Sequence, residues 1–219
     1  MKAQPGQKAP LLSISDWVQG TEVNFDQLLG RVVLVEVFQV NCPGCFLYAL
    51  PQAVDLHRKY SEHGLTILGV ATAFEDFDKN NLENLTRLAA HGEVVGETLR
   101  VLSQQGKLNA GRLPYQIPFP LAMDRLVRHR GEVTDNEIAD FIQNRIPDFD
   151  RQPKAHQQQI RQQVLNYLQS LDYHAETFEL FDLKGTPSHI LVDKQGVLRD
   201  CAIGPYPKLE AQIQSLLQE

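Results

Sequence analysis

Two cysteines three positions apart, Cys42 and Cys45, are the residues of this chain whose type and spacing best suit chemistry. A run of apolar residues, Arg31 to Val40, leads into them, and a segment with helical periodicity follows over 43–61. Cys42 would then sit at a helix N-cap, its sulfur accepting hydrogen bonds from the amides of Gly44 and Cys45. The positive end of the helix dipole favours a thiolate there, and such placements lower a thiol pKa from about 8.5 to between about 3.5 and 7.5. Cys45, one turn deeper, could displace whatever Cys42 has attacked, which is the logic of thiol–disulfide exchange. Pro43 fits the first helical position, where a missing N–H is no loss. A zinc site would need a second such pair or paired histidines, and none of the seven histidines makes one, so no metal is expected. Two inert core cysteines are the remaining bland alternative.

Two further features point at the same place. Glu36 interrupts the apolar run, and a carboxylate buried there is costly unless paired or protonated. Six residues before Cys42, it could lie beneath the cysteine pair with a raised pKa and take the proton of Cys45. The alternative is a carboxylate turned to solvent. Gly185-Thr186-Pro187 precedes an apolar segment, and proline belongs at a strand's first residue. A cis Pro187 would hold the Thr186 backbone against Cys42 as a docking edge, whereas a trans proline would be an ordinary strand start. The third cysteine, Cys201, lies in a strand-like segment and reads as structural.

The elements that must position these groups are legible in outline. Val32, Val33, Leu34, Val35, Val37 and Phe38 form a β-branched run typical of a strand buried on both faces. The helix over 43–61 has Leu47, Leu50, Val54 and Tyr60 on its inward stripe, a kink expected at Pro51, and a stop at Gly64. Leu65 to Ala71 is a second strand. Residues 81–105 predict one long helix or two pieces broken at Gly92 and Gly96. Phe119 to Asp124 ends in a short strand. A capping box, Thr134 to Glu137, starts a helix within 132–150, and another covers 154–172 with Ile160, Val164, Tyr167, Leu168 and Leu171 inward. Residues 189–203 form a β-hairpin about Lys194-Gln195-Gly196, and Pro207 to Leu217 is a closing helix.

Composition bounds the rest. The chain has 219 residues, 42% apolar and 22% charged, enough for a packed core. A net charge of −6 argues against nucleic acid and against a basic membrane-binding face. No apolar run is long enough to span a bilayer. The start, MKAQPGQKAP, lacks a signal-like apolar stretch, so the chain reads as cytoplasmic, or periplasmic if a leader was removed.

Taken together, Gly6-x-x-Ala9-Pro10, the apolar strand into Cys42-Pro43-Gly44-Cys45, Phe119-Pro120 to Asp124, and Thr186-Pro187 before the final hairpin resemble the thioredoxin superfamily. The resemblance is to its TlpA/ResA-like and peroxiredoxin-like (AhpC/TSA) redoxin branch, over about 6–75, 115–125 and 180–218. It implies an α/β fold with a central mixed sheet flanked by helices. It also implies one redoxin domain with an N-terminal extension and a helical insertion at about 126–178. Cys42 matches the nucleophile, Cys45 the resolving thiol, Pro187 the cis-proline with Thr186 before it, and Glu36 the buried acid. Pro43, Gly44, Thr186 and Pro187 would form the substrate-docking rim.

Four departures stand out. Asn41 occupies the position of the family's tryptophan before the nucleophile. Pro51 falls six residues after Cys45 rather than five, so the helix register is expected to differ. Val35 and Gln39 stand where a peroxiredoxin carries the proline and threonine that prepare its peroxidatic cysteine, which weighs against peroxidase activity. The insertion has no counterpart in a minimal redoxin.

The expected function is therefore a thiol–disulfide oxidoreductase, reducing protein disulfides. It would need no cofactor beyond the Cys42–Cys45 disulfide. Protein or small-thiol disulfides would be its substrates, and a thioredoxin or glutathione system its electron donor. The insertion could select a partner or form a homodimer interface. A thiol peroxidase and a redoxin-fold interaction module without exchange activity are the alternatives.

Overall fold

The computed structural model describes residues 2–128, 132–170 and 173–219. Two compact units divide it: Met1–Leu126 with Ala175–Glu219, and Val127–His174.

The first unit is built on six strands: β1 (Ile14–Gln19), β2 (Val32–Phe38), β3 (Leu65–Ala71), β4 (Leu121–Asp124), β7 (Ser188–Val192) and β8 (Leu198–Ile203). Their order is β1-β4-β3-β2-β7-β8. The strands β2, β3 and β4 run parallel, while β1, β7 and β8 pair antiparallel with their neighbours, so the sheet is mixed. All seven residues of β2 are buried, because the strand has neighbours on both edges and helices over both faces. That double coverage is why its sequence is a continuous apolar run instead of an alternating one.

Alternation sorts β2 into two cores. Val32, Leu34 and Phe38 face one cluster, closed by α1 (Leu50–Tyr60), α2 (Leu82–His91), α3 (Gly96–Gln104) and α7 (Leu209–Gln218). Val33, Val35 and Val37 face the other, closed by α6 (Glu176–Leu180) and the N-terminal segment through Ala9, Leu12 and Phe25. The segment over 81–105 is two helices. Gly92, at φ 68°, ends α2 in the left-handed conformation that glycine adopts without strain.

Asp124 anchors α6 to the sheet. Its buried carboxyl accepts hydrogen bonds from the backbone amides of Thr177 at 2.8 Å and Phe178 at 3.1 Å, and from Thr72 Oγ1 at 2.8 Å. Burial outweighs these bonds and pushes its pKa up to about 6. Asp124→Ala leaves three buried donors unpaired and is expected to lower stability by about 3–4 kcal/mol, seen as an earlier urea midpoint. An unchanged midpoint would mean that α6 is held by its apolar contacts alone.

The second unit contains α4 (Asp135–Arg145) and α5 (Lys154–Ser170), which pack through Ile138, Ile142 and Val164. The Thr134/Glu137 capping box opens α4 as its sequence predicts. The strands β5 (Leu126–Arg128) and β6 (Tyr173–Ala175) form a separate two-stranded sheet. Leu171, assigned to the inward stripe of α5, lies outside the described residues. Tyr167, assigned to the same stripe, is 42% exposed. Among the described residues, no helix is long and apolar enough to cross a membrane.

Candidate redox site

Past Phe38 the chain leaves the sheet and passes through Gln39, Val40 and Asn41 into Cys42. Pro43 and Gly44 are already helical, which leaves Cys42 at the N-cap. The Cys45 amide approaches Cys42 Sγ at 3.2 Å. The bond expected from the Gly44 amide is not formed. Cys42 and Cys45 are joined in a disulfide. Cys42 is half-buried and Cys45 is fully buried, so only one sulfur faces solvent.

The helix does not continue in regular α form. Cys45–Ala49 make a π-helical turn, in which the Leu50 N–H bonds to Cys45 O, before α1 begins. A π turn is what one extra residue produces in a helix, and it is the physical form of the displaced Pro51. It lies immediately before Pro51, where the sequence predicts a kink. The stripe read from sequence is corrected accordingly: Phe46, Ala49, Leu50, Ala53 and Leu56 are buried, while Leu47 and Val54 are only half-buried.

The Thr186–Pro187 peptide is cis. Thr186 O lies 3.6 Å from Cys42 Sγ, and a Cβ on Gly44 would come within 3.8 Å of Pro187 Cδ. The four rim residues named from sequence are therefore adjacent in space. Gln39 holds the far side of this rim: its buried Oε1 accepts from Thr186 Oγ1 at 3.0 Å. From sequence, Gln39 stands out only as the residue in place of a peroxiredoxin's threonine. Its signal was present, a polar side chain directly after a buried strand.

Glu36 is 4% exposed, so it is not the solvent-facing carboxylate of the alternative reading. It shares a face of β2 with Leu34 and Phe38, whose cluster contains Cys45. Among the described residues its carboxyl has no hydrogen-bond partner. Burial alone pushes its pKa well above the usual carboxylate range.

Asn41 explains itself as a clamp. Its Nδ2 donates to Asp76 Oδ2 at 2.8 Å, and its own amide donates to Asn80 Oδ1 at 2.9 Å. Its Oδ1 accepts from the Glu97 amide at 2.7 Å, capping α3, whose N-cap Val95 has no side chain able to do so. Gly96, at φ 53°, makes the approach possible, since a Cβ there would run into Asn41 Oδ1. Gly96→Ala combines that collision with a left-handed backbone and is expected to cost about 2 kcal/mol or more. Thermal or urea melting reads this directly, and a wild-type midpoint would show that Asn41 does not hold α3.

Cys201 lies on the opposite face, beside the cluster of Val33 and Val35, and burial pushes its thiol up to about 12.

No protein-family model and no curated protein matches the sequence. Solved structures do match it. A thioredoxin-like superfamily protein aligns over 98% of this chain and 98% of its own, with a TM-score of 0.59 and 23% identity. A thiol-disulfide isomerase from Corynebacterium glutamicum aligns over 96% and 97%, with a TM-score of 0.56 and 26% identity. A thiol:disulfide interchange protein DsbE from Chlorobium tepidum aligns over 99% of both chains, with a TM-score of 0.52 and 17% identity. The chain has a thioredoxin-like fold.

Proposed function

We propose that this protein is a thiol–disulfide oxidoreductase that reduces protein disulfides through the Cys42–Cys45 pair. The observation that carries the reading is the asymmetric disulfide at the end of a buried strand, with Cys42 half-exposed at a helix N-cap and Cys45 wholly buried. The names of its structural neighbours, an isomerase and an interchange protein, support the same class of reaction.

In the reduced protein the Cys42 thiolate attacks a substrate disulfide, forming a mixed disulfide and releasing one substrate thiolate. Cys45 then attacks Cys42 Sγ. The Cys42–Cys45 bond forms, the second substrate thiolate leaves, and two electrons have passed to the substrate. Glu36 accepts the proton that Cys45 must lose. The backbone of half-buried Thr186, beside Cys42, would pair with the backbone of a bound substrate segment, with Pro43, Gly44 and Pro187 completing the docking rim. A thioredoxin or glutathione system would restore the dithiol. Gln39 is engaged by the Thr186 hydroxyl, which leaves it poorly placed to prepare a peroxide and favours exchange over peroxidase chemistry.

The test is the equilibrium reduction potential of the pair, titrated against dithiothreitol or glutathione. A value near about −270 mV is expected for a reductant. A value above about −180 mV would replace the reducing role with an oxidising or isomerising one. Failure of the two cysteines to pair at any potential would overturn the exchange mechanism.

A further inference from the structure

A side-chain amide ties the docking loop to the loop of the nucleophile. Gln39 follows β2 directly and is 2% exposed. Its Oε1 accepts from Thr186 Oγ1 at 3.0 Å, and its Nε2 faces the Glu75 carbonyl at 3.5 Å. A carbonyl can only accept, so Glu75 fixes which way the amide points, and the Thr186 hydroxyl must be the donor. Asn80 continues the network: its Nδ2 donates to the same Glu75 carbonyl at 2.9 Å, and its Oδ1 accepts from the Asn41 amide at 2.9 Å. Val40 is held as well, because Thr98 Oγ1 donates to its carbonyl at 2.9 Å. Gln39, Val40 and Asn41, the three residues before Cys42, are thus each bonded to a remote segment.

The docking loop is also bonded within its own hairpin, on either side of Thr186. Ser188 Oγ donates to Gly185 O at 2.7 Å, and the Gly204 amide donates to Pro187 O at 2.8 Å. The Gln39 bond differs, since it runs from Thr186 to the segment that ends in Cys42. Thr186 O lies 3.6 Å from Cys42 Sγ, so whatever fixes Thr186 fixes the docking edge relative to the attacking sulfur. A buried primary amide needs a reason here, because an apolar side chain would fill the place without needing partners.

We propose that Gln39 is a positioning residue: through Thr186 it sets the register of an extended polypeptide against Cys42, and so selects cysteines within such segments over small disulfides. The inference rests on the exchange reading above and on the docking rim it includes. A segment paired with the Thr186 backbone brings its own cysteine sulfur to a point that the loop fixes. Attack needs that sulfur in line with Cys42 Sγ, and a displacement of about 1 Å can cost about 10²-fold in rate. The tie through Gln39 sets this alignment before the substrate arrives. A small disulfide pairs with no backbone and finds its own approach, so it gains nothing from the tie.

The test compares two substrates that share a leaving group. In one, thionitrobenzoate is joined through a disulfide to free cysteine; in the other, to the single cysteine of a short extended peptide. Cys42 of the reduced protein attacks the cysteine sulfur, the bond to thionitrobenzoate breaks, and the released thiolate is read by its colour. The wild-type protein is expected to favour the peptide by at least about tenfold in second-order rate constant. Gln39→Leu should lose about tenfold of that preference, through a slower reaction with the peptide. Thr186→Val should lose as much, and the two substitutions together no more than either alone. Thr186→Ser keeps the hydroxyl and should keep the preference. The two Thr186 variants carry the test if Gln39→Leu does not fold. A preference that survives in Gln39→Leu or Thr186→Val overturns the positioning role and leaves exchange standing. So do losses that add in the double variant, a Thr186→Ser loss equal to that of Thr186→Val, or an equal fall with both substrates, as a loosened fold would give. A wild-type protein without preference overturns the positioning role and the docking rim, while exchange stands. No thionitrobenzoate from either substrate overturns the exchange reading and the positioning role with it.

Discussion

Cys45→Ser is expected to turn the protein into a covalent trap. After exposure to glutathione disulfide, its mass should rise by one glutathione per chain, whereas the wild-type protein should return to its internal disulfide with no adduct. The reason is the division of exposure between the two sulfurs. Cys42 is half-buried and reachable, with the Cys45 amide on its sulfur and a helix N-terminus beneath it. Cys45 is completely buried, so no external thiol can do its work. Serine at 45 keeps the volume and removes the only group placed to release the adduct. Cys201 does not substitute for it, because it lies among the residues of the other sheet face and its thiol is pushed up to about 12.

Cys42→Ser should be silent in the same assay. Turnover of protein disulfides by either variant should fall by at least about 10³-fold, the order expected when a covalent nucleophile or its essential partner is removed. An adduct that forms equally on Cys42→Ser and Cys45→Ser would reverse the assignment. Sustained turnover by the double serine variant would remove both cysteines from the mechanism.

How much of this was legible beforehand differs by kind of interaction. The strand β2 and the helix after it announce themselves because burial on two faces demands an unbroken apolar run, and local periodicity records that demand. The C-x-x-C at their junction is legible for the same reason, since the site is assembled within one stretch of chain. Thr186 is 144 residues from Cys42, and only the family resemblance linked the two, because no local pattern encodes a contact across sheet order. The polar side chains that tie the site together were the least legible. Gln39 and Asn41 look like interruptions in an apolar pattern, and their meaning depends on partners supplied by remote segments. Asn41 is a clear case: a departure from the family's tryptophan becomes a cap for α3 only when Gly96 is seen beside it. The π turn was foreshadowed by a single count, six residues from Cys45 to Pro51 instead of five. Counting alone could not say whether the extra residue would be looped out or wound into the helix.

Glu36→Gln should separate stability from catalysis, gaining one and losing the other. Burial raises the folded-state pKa of Glu36 well above that of the unfolded chain. Between those two values the folded protein binds a proton that the unfolded chain does not, so stability falls as pH rises. The contribution is complete below the ordinary carboxylate pKa, about 4.3, and is lost as pH climbs through the raised value. Glutamine stays neutral throughout. The oxidised variant should therefore match the wild-type protein near pH 4 and exceed it at pH 8, with the gap widening between, as urea melts at several pH values would read. Its chemistry should move the opposite way. Cys45 is buried, and burial in apolar surroundings disfavours its thiolate, so resolution depends on a base within reach. When the reduced protein is mixed with dithiobis-nitrobenzoate, the first thionitrobenzoate released reports attack by Cys42 and the second resolution by Cys45; without Glu36 the second release should slow about 10²-fold at neutral pH, while the first is unchanged. The deficit should shrink at high pH, where the Cys45 thiol ionises without help. A second release that stays at the wild-type rate from pH 6 to 9 would remove Glu36 from catalysis, even if the stability gain appears. If neither changes, the pKa of the carboxyl is not raised in the folded protein, and the physical premise of its role is wrong.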